Sequence, residues 1–387
     1  MANPNTFSTN LLPRILAGAL QVLREEVFLA SKINKDFNGA AGKIGQTVSV
    51  AVPYALSVGD VTPGPVPPTP GDMQIAAKTV TIDQWKKAGF HLTEQEATYY
   101  QTADIVPNQV AEAARALART VNQALFGLYP KVYGFAGIAG TNPFGGQTKD
   151  VNPVADVRQR LSEQLCPENN RYLLVGFEEE AAALKTEDLK RMLNAGDSQA
   201  LRKGIIGELF GMTCMRDRDR PIHTAGSVTG TVVPSGATVK GLKTVGLATG
   251  QGEAIALKAG DIVIFGSKTQ TYAVQADLTV GASSTGTLSI EPALVDDLTT
   301  NDAVTVKATH KVNLAFEPNA FALVMRTPPS AIEGAPTLGE HIAMVDPVSG
   351  IPARLSYYPG YHLAQWELSI LFGADIVDAR RTARMAG

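Results

Sequence analysis

Residues 46–82 have the sequence QTVSVAVPYALSVGDVTPGPVPPTPGDMQIAAKTVTI, which combines two β-type segments with a run of prolines. Its two ends, Gln46–Tyr54 and Ile75–Ile82, are rich in β-branched residues and alternate, so we predict two strands. Five prolines fall between them within eight residues: Pro63, Pro65, Pro67, Pro68 and Pro70. Proline is excluded from a helix interior and from a central sheet ladder. The stretch therefore predicts a long two-stranded hairpin with a stiff, extended tip.

The predicted hairpin needs a partner surface, because an isolated hairpin is only marginally stable in water. It must lie on its own domain or reach onto a neighbouring molecule. Ala88–Thr93 is predicted as a further returning strand. A proline-rich surface linker is the alternative interpretation of Ser57–Gly71.

A helix is predicted ahead of the hairpin. Apolar residues recur there every three or four positions: Leu12, Leu16, Ala19, Leu23 and Val27. We place Pro13 in its first turn and Asn10 as its cap. A lone helix is marginal in water, so this one must dock against another element.

The clearest helix of the chain is predicted over Val106–Leu128. Pro107 is placed in its first turn, and Gly127 marks its end. At about 1.5 Å per residue it would be roughly 35 Å long, enough to be the backbone of a domain. Arg115 and Arg119 lie four residues apart on one side of it, which is typical of a solvated or salt-bridged face; phosphate or subunit contact is the alternative.

Helices and short strands alternate in the next part of the chain. This alternation indicates an α/β core layered on a sheet. We predict helices at Val154–Leu165, Phe177–Leu184 and Asp188–Leu193, and strands at Arg171–Gly176 and Phe210–Cys214.

Composition changes at Gly226. Residues Gly226–Thr309 are rich in Gly, Thr, Val and Ala, and short β-branched runs recur between Gly and Asp clusters. This is the pattern of a small all-β domain, a sandwich or a barrel. The sequence pattern seen before Gly226 returns at Val312–Val324. We therefore predict a β domain inserted into an α/β parent domain.

The chain closes with two predicted strands and a basic tail. The strands are Ile351–Tyr358 and Tyr361–Phe372, with a turn at Pro359-Gly360. The tail carries Arg380, Arg381 and Arg384.

Composition excludes several classes of protein. The 387 residues are 44% hydrophobic, which excludes a disordered chain. A net charge of −3 argues against nucleic-acid binding through a broad basic face. The two cysteines, Cys166 and Cys214, are too few for a disulfide framework and are expected to be reduced and buried. Only 18% of residues are charged, against about 25% in an ordinary soluble protein, so part of the surface is expected to be covered.

No targeting or membrane-spanning segment is predicted. The first residues, Met1–Thr9, lack a basic region and an apolar core. No run reaches the roughly 18 apolar residues of a membrane span. We therefore expect a reducing cytoplasm as the compartment of synthesis and no membrane partner.

Catalytic signatures are absent from the sequence. There is no phosphate-binding loop, nucleophile elbow or zinc-protease motif. Gly250-Gln-Gly252 begins a dinucleotide fingerprint without its third glycine. The five histidines are scattered singly, which does not predict a metal site. We predict no catalytic, cofactor-binding or metal-binding residue.

Three charged or aromatic segments are predicted as subunit contacts together with the proline tip. In MRDRDRP the carboxylates could do acid–base work, but three interleaved arginines favour self-neutralisation or pairing across an interface. Trp85-Lys86-Lys87 resembles a single-strand-binding pattern only weakly, and an ordinary exposed strand face is favoured over it. The arginines of the tail could meet phosphate, but subunit contact is favoured. The predicted contact residues are Pro63, Pro65, Pro67, Pro68, Trp85, Lys86, Arg216, Asp217, Arg218, Asp219, Arg380 and Arg381.

The order of the elements resembles that of the major capsid proteins of tailed bacteriophages with the Hong Kong 97 fold. A helical arm, a long hairpin, a long helix, an α/β domain and closing strands follow one another in both. The inserted β domain resembles that of podophage coat proteins with an insertion domain. Asp346-Pro-Val-Ser-Gly-Ile-Pro352, Leu371-Phe-Gly-Ala-Asp375 and Arg380-Arg381 are similar to the end of those proteins.

The resemblance implies an α+β, Hong Kong 97-type capsid fold with an inserted all-β domain. Residues 1–42 would be the N-arm with its helix and 43–93 the E-loop. Residues 94–150 and 345–387 would be the P-domain, with its spine helix at 106–128. The A-domain would comprise 151–225 and 310–344, and the inserted domain 226–309.

The same resemblance implies a structural protein and not an enzyme. Copies would form hexamers and pentamers that close into an icosahedral virion capsid around double-stranded DNA, contacted non-specifically. Scaffolding and portal proteins are implied partners, a decoration protein is left open, and assembly is expected in the host bacterial cytoplasm. No covalent subunit crosslink is predicted, since no suitable glutamate and lysine arrangement is evident.

Two alternatives stay open from the sequence. One is an encapsulin-type nanocompartment with the same fold. The other is a bacterial enzyme with an appended β-sandwich binding module, which would need a pocket with convergent ionisable side chains.

Overall fold

The computed structural model describes residues 7–26, 29–35, 45–53, 60–61, 63, 75–99, 102–145, 151–186, 206–329, 339–346 and 349–387. Its α-helices are α1 (Phe7–Glu26), α2 (Glu94–Tyr99), α3 (Thr102–Phe126), α4 (Asn152–Glu163) and α5 (Phe177–Ala183).

Strands make up most of the regular structure. Before the inserted region they are β1 (Thr47–Pro53), β2 (Ile75–Thr81), β3 (Gln84–Thr93), β4 (Gly134–Ala136), β5 (Arg171–Val175), β6 (Glu208–Leu209), β7 (Met212–Arg216) and β8 (Ile222–His223). Within it they are β9 (Ser227–Thr229), β10 (Val233–Pro234), β11 (Thr244–Ala248), β12 (Ala254–Leu257), β13 (Ile262–Phe265), β14 (Tyr272–Val274), β15 (Leu278–Val280), β16 (Thr285–Glu291) and β17 (Val304–Val306). After it come β18 (His310–Phe316), β19 (Phe321–Arg326), β20 (Glu340–Val345), β21 (Pro352–Gly360), β22 (Leu363–Ile376) and β23 (Thr382–Ala386).

The chain divides into two compact units, and the division falls within α3 after Ala118. The first unit contains α1, α2, β1–β3 and β19–β22. Its main sheet has the order β19-β22-β21-β20, and β3 pairs with β22 as well. All these pairs are antiparallel, and β22 pairs with β3 over ten residues.

The predicted hairpin is confirmed at its base. β1 and β2 pair in antiparallel register from Thr47 opposite Thr81 to Pro53 opposite Ile75. Val48, Val50 and Val80 form a core cluster with residues of β19 and β22, so the base of the hairpin lies on its own unit. The prediction that Ala88–Thr93 returns within this hairpin is wrong. Those residues belong to β3, which pairs with β22, because the long strand offers ten consecutive partners.

Both long helices begin earlier than predicted. α1 starts at Phe7, so Pro13 lies inside the helix and not in its first turn, and Asn10 is a helical residue and not its cap. α3 starts at Thr102, which likewise places Pro107 inside. A proline removes one backbone hydrogen bond but does not end a helix whose flanks are held in place. The apolar faces are confirmed in the main: Leu12, Leu16, Ala19 and Leu23 of α1 and Val106, Val110, Leu117 and Val121 of α3 are buried.

The second unit is built on a mixed sheet with the order β4-β23-β18-β5-β7-β6, to which β8 adds by pairing with β18. β5 runs parallel to β7, and β23 runs parallel to β4. Helices α4 and α5 supply Val157, Leu161 and Ala183 to a core shared with β5, β7 and β23. This is the predicted layering of helices on a sheet. The helix predicted at Asp188–Leu193 lies outside the described residues.

The strand predicted at Phe210–Cys214 begins two residues too early. Phe210 and Gly211 form the turn between β6 and β7, with φ values of 49° and 73°. Positive φ at both positions is the geometry of a type I′ hairpin turn. A similar error occurs near the end of the chain: Pro359-Gly360 belongs to β21, and Tyr361-His362 form the turn.

The inserted all-β region is confirmed as two sheets with their own core. The orders are β10-β11-β16-β14-β13-β17 and β15-β12-β9. Leu247, Phe265, Tyr272 and Leu288 are among its fully buried residues. The β-branched run Val239–Val245 predicts a strand there, but β11 comprises Thr244–Ala248, because the residues before Thr244 form loop hydrogen bonds with the loop at 294–298.

Two strands pair outside the segments to which the sequence assigns them. β19 lies in the predicted A-domain segment 310–344 but pairs with β22. β23 lies in the predicted P-domain segment 345–387 but pairs with β18 and β4. The division into N-arm, E-loop, P-domain, A-domain and inserted domain stays a prediction.

Candidate functional site

The predicted contact residues of the proline tip are described in part. Pro63 and its neighbour Val61 are exposed. Pro65, Pro67 and Pro68 lie outside the described residues, so their role stays a prediction.

Trp85 and Lys86 lie near the start of β3. In register they stand opposite Leu371 and Ile370 of β22. The Trp85 side chain is 45% exposed. An exposed indole on a strand is a suitable contact residue, because tryptophan buries much apolar area when it is covered.

The MRDRDRP segment forms ion pairs with helices of the same unit. Asp219 Oδ1 accepts hydrogen bonds from Arg119 of α3 at 3.2 Å and from Gln123 at 3.3 Å. Arg216 lies 3.8 Å from Glu180 of α5. The sequence predicts self-neutralisation or pairing across an interface for these charges. Arg220 also pairs with Glu179 of α5, so three charges of the segment are matched by α3 and α5 within the same unit.

Asp217 is the buried member of the same segment. Its Oδ1 accepts a hydrogen bond from the backbone N–H of Asp219 at 2.8 Å. Burial raises the pKa of the Asp217 carboxyl. Arg218 beside it is exposed. A role of these two residues in subunit contact stays a prediction.

The tail arginines pair with acidic residues near them. Arg380 donates from Nε to Asp378 Oδ1 and from a terminal nitrogen to Oδ2, both at 2.9 Å. Arg381 donates to Glu317 Oε2 at 2.7 Å. Hydrogen bonding to Asp378 raises the pKa of Arg380. The tail is thus not a free basic patch, which weakens the phosphate interpretation.

The fold also places apolar residues in left-handed backbone on the surface. Leu165 has φ 59° and is 86% exposed, and Phe210 has φ 49° and is 44% exposed. Arg158 of α4 donates to the carbonyl of Phe210 at 3.0 Å and lies 3.9 Å from Glu168, so the two loops share a neighbour. Non-glycine residues are uncommon in this conformation, and such positions cluster at functional sites.

A buried polar cluster was not predicted from the sequence. The hydroxyl of Tyr129 lies 3.1 Å from Nδ1 of His223, whose Nε2 lies 2.8 Å from Oδ1 of Asp261. The rings of His223 and His310 are 5.3 Å apart, and Arg384 lies with its guanidinium 5.1 Å from the Tyr129 ring centre. Lone histidines separated by dozens of residues carry no local signal that the sheet will bring them together.

Burial dominates the electrostatics of this cluster. It lowers the pKa of His310 to about 4, with the nearby charge of Arg384 and His223 acting in the same direction. It also lowers the pKa of Arg384 to about 9, although Asp261 opposes that shift. Arg384 donates to the carbonyls of Gly260 at 2.7 Å and Tyr129 at 2.6 Å. The cluster therefore joins the inserted region to the sheet.

No catalytic constellation emerges within the described ranges. A cleft of about 250 Å³ is lined by polar residues including Asp156, Gln159 and Lys307. No nucleophile lies beside a base there. Among the residues that the structure describes, no group of three or more His, Cys, Asp or Glu side chains could hold a metal ion. Both cysteines are free and buried, as predicted.

None of the described helices combines the length and the apolar character that crossing a bilayer requires.

The overall fold is similar to that of phage proteins of known structure. One structure, from Mycobacterium phage Che8, has 14% sequence identity and a TM-score of 0.51, covering 92% of this chain and 90% of that chain. The capsid structure of the cyanophage P-SCSP1u has 10% identity and a TM-score of 0.50, covering 88% and 83%. The chain has the Hong Kong 97-type capsid fold.

Sequence comparison adds nothing to this structural likeness. No protein-family model matches the chain, and no curated protein matches it. At 10% and 14% identity the likeness establishes the Hong Kong 97-type fold, and it does not carry individual site residues across.

Proposed function

We propose that this protein is the shell-forming major capsid protein of a tailed bacteriophage. The observation that carries the proposal is the likeness of its fold to a phage capsid structure over 88% of the chain. Copies assemble through hexamers and pentamers into an icosahedral shell that encloses double-stranded DNA. Assembly takes place in the host bacterial cytoplasm, with scaffolding and portal proteins as partners.

The charge of the chain supports this proposal. A net charge of −3 suits a protein shell that encloses DNA without binding it tightly. The ion pairs of Arg216, Arg380 and Arg381 within the chain leave those arginines less free for phosphate. We therefore expect DNA to be held by confinement and not by a specific site.

We further propose that the exposed left-handed residues Leu165 and Phe210 are subunit contacts. An apolar side chain held in strained backbone on the surface costs stability in the isolated chain. Retaining it makes physical sense if a second copy covers it. The proline tip, with exposed Val61 and Pro63, is proposed as a second contact in the same shell.

The direct test is to express the protein with its neighbouring genes and to image the product by negative-stain electron microscopy. Closed particles tens of nanometres across that contain double-stranded DNA are expected. Particles filled with a protein cargo and free of DNA would favour the nanocompartment alternative. A monodisperse monomer under every assembly condition would overturn the shell proposal.

Two variants separate folding from assembly. Deletion of residues 61–71 should leave the monomer folded and stop shell closure, because the tip is proposed to act only between subunits. Phe210→Gly should keep or raise the thermal stability of the monomer and reduce particle yield, because glycine adopts positive φ freely. Normal particles from both variants would disprove these contact assignments.

A further inference from the structure

The buried polar cluster lies where the inserted region meets the sheet of the second unit. His223 comes from β8 and His310 from β18, the strands that flank the insertion on either side. Asp261 immediately precedes β13, and Arg384 lies on β23. These four side chains are at most 2% exposed. Tyr129 adds its hydroxyl from the segment after α3.

Asp261 has its hydrogen bonds satisfied by neutral donors and by His223. It accepts from the backbone N–H of Lys258 at 2.7 Å and of Gly226 at 3.0 Å, in addition to the contact with His223. Its carboxylate is therefore committed to the hydrogen bonds that hold the first residues of the insertion. A new cation nearby would have to compete with these partners.

His310 is the member without a full set of partners. Its Nδ1 donates to the carbonyl of Ala308 at 2.8 Å, which leaves Nε2 as an acceptor. That Nε2 is buried and has no hydrogen-bond partner among the described residues. The ring packs edge-on against Phe135 at 5.2 Å and lies 5.3 Å from the His223 ring. A proton on Nε2 would thus create a buried charge with nothing to accept its hydrogen bond.

The surroundings of His310 disfavour that proton further. The charged and titratable groups that act on His310 are Arg384 on β23, His223 on β8 and Asp261 before β13. One contact further away, Tyr129 bonds to His223, and Lys307 lies 5.7 Å over the Phe135 ring that packs on His310. Two of the three direct neighbours carry or can carry positive charge, and the single carboxylate among them is committed.

We propose that this cluster is an acid-sensitive joint, in which protonation of His310 releases the inserted β domain from the sheet while both keep their own cores. The sheet core and the inserted core share no residue. The apolar part of the joint is the small cluster of Tyr133, Phe135, Ile262, Ala273 and Ala386. Opening it exposes this cluster and breaks the hydrogen bonds from Arg384 to Gly260 and from Thr271 to Tyr133, and a buried charge on His310 shifts the balance towards the open form. This inference does not depend on the proposed shell function.

The size of the effect follows from linkage. In the closed joint His310 has a pKa of about 4, and in the open joint the exposed imidazole returns to about 6.5. The open form then binds more protons, so opening becomes more favourable as pH falls through 6.5 and levels off below 4. Between pH 7 and pH 4 the opening equilibrium should rise about a hundredfold.

The test is hydrogen–deuterium exchange of the purified full chain at pH 7, 5 and 4, corrected for intrinsic exchange rates. The reporter is the amide of Gly226, which donates to Asp261. Leu173 of β5 and Leu288 of β16 report on the two cores. We expect the protection of Gly226 to fall about a hundredfold from pH 7 to pH 4, with both core amides unchanged.

The variant His310→Asn keeps a side-chain donor for Ala308 and removes the titrating ring, so the acid response of Gly226 should disappear. If it does not fold, His310→Gln serves in its place. His91→Asn, on the exposed face of β3, is the matched control and should behave as the parent. A Gly226 amide that keeps its protection in the parent, an unchanged response in the His310 variant, or parallel loss of protection in both cores would each refute the joint.

Discussion

Asp346 fixes the first helix to the sheet of its own unit. Its buried carboxylate accepts hydrogen bonds from the guanidinium of Arg24 on α1, with Nε at 3.2 Å, and from the backbone N–H of Ser349 at 2.7 Å. Lys35 donates to the carbonyl of Ser349 in the same turn. Burial alone would raise the pKa of Asp346, but these hydrogen bonds lower it to about 2.

We predict that Asp346→Asn destabilises the protein by about 2 kcal/mol at pH 7. The folded pKa is lowered from 3.8, so this stability is present above pH 4 and is lost as the pH falls towards 2. Urea unfolding of parent and variant at pH 7 and pH 2.5 measures both effects, and the difference should shrink at the lower pH. Glu112→Gln, which breaks the exposed pair with Arg115, is the control and should cost under about 0.5 kcal/mol. An equal cost for both variants would contradict the assigned role.

The cysteines should be inert in the folded chain. Burial raises the pKa of Cys214 to about 12, and it also raises the pKa of Cys166. Since the thiolate is the reactive species, native labelling with a thiol reagent at pH 7.5 should be at least about a hundredfold slower than labelling in urea. Fast labelling of either residue in the native protein would show that it is accessible.

For single residues, the sequence predicts roles that follow from the residue type. It does not predict roles that depend on which distant residues the fold brings close. Two cysteines in a low-charge chain were predicted to be buried thiols, and the structure confirms it. His223 and His310 look isolated in the sequence, because 86 residues of chain, including a whole β region, separate them. Only the pairing of β8 with β18 brings them together.

At the scale of elements, Gly373 sets how closely the hairpin approaches its sheet. It lies inside β22, and a Cβ built on it would stand 2.1 Å from the carbonyl oxygen of Thr81 at the end of β2. That oxygen is backbone and has little freedom to move. Glycine is therefore required so that the hairpin base can pack against β22.

We predict that Gly373→Ala lowers the free energy of unfolding by about 1–3 kcal/mol, because the hairpin must shift to admit the methyl group. Gly18→Ala is the matched control: Gly18 is an exposed residue of α1, and a methyl group added there would meet nothing within 4 Å. It should stabilise by up to about 1 kcal/mol through helix propensity. Urea unfolding measures both, and stabilisation by Gly373→Ala would mean that this approach is not tight.

Sequence patterns predict well which helices and strands exist. They predict less well where these elements begin and which strands pair with each other. Apolar periodicity located α1 and α3, but it is silent on the turns before Leu12 and Val106, where the helices start at Phe7 and Thr102. Alternation located β3, yet the partner of a strand is decided by long-range packing. The ten-residue match with β22 therefore had no local signal.

Across the whole molecule, the low fraction of charged residues is seen both in the inserted region and on the surface elsewhere. Residues 226–309 contain twelve charged residues, and several pair with each other, such as Lys243 with Glu291 and Lys268 with Asp302. Elsewhere apolar residues such as Leu165 and Trp85 are exposed. The low fraction of charged residues predicts that part of the surface is covered. We propose that other subunits cover these exposed apolar residues.

The inserted region should fold as an independent domain when residues 226–309 are expressed alone. It has its own core, and its described links to the rest of the unit include the His223–Asp261 contact, the hydrogen bonds from Arg384 to Gly260 and from Thr271 to Tyr133, and a small apolar cluster. We expect a β-type circular dichroism spectrum and a cooperative thermal transition. Tyr272→Ala, which truncates a fully buried core residue, should lower the transition midpoint, whereas Lys240→Ala on an exposed loop should leave it nearly unchanged. A disordered spectrum, or equal midpoints for both variants, would show that the inserted region depends on the rest of the chain for its fold.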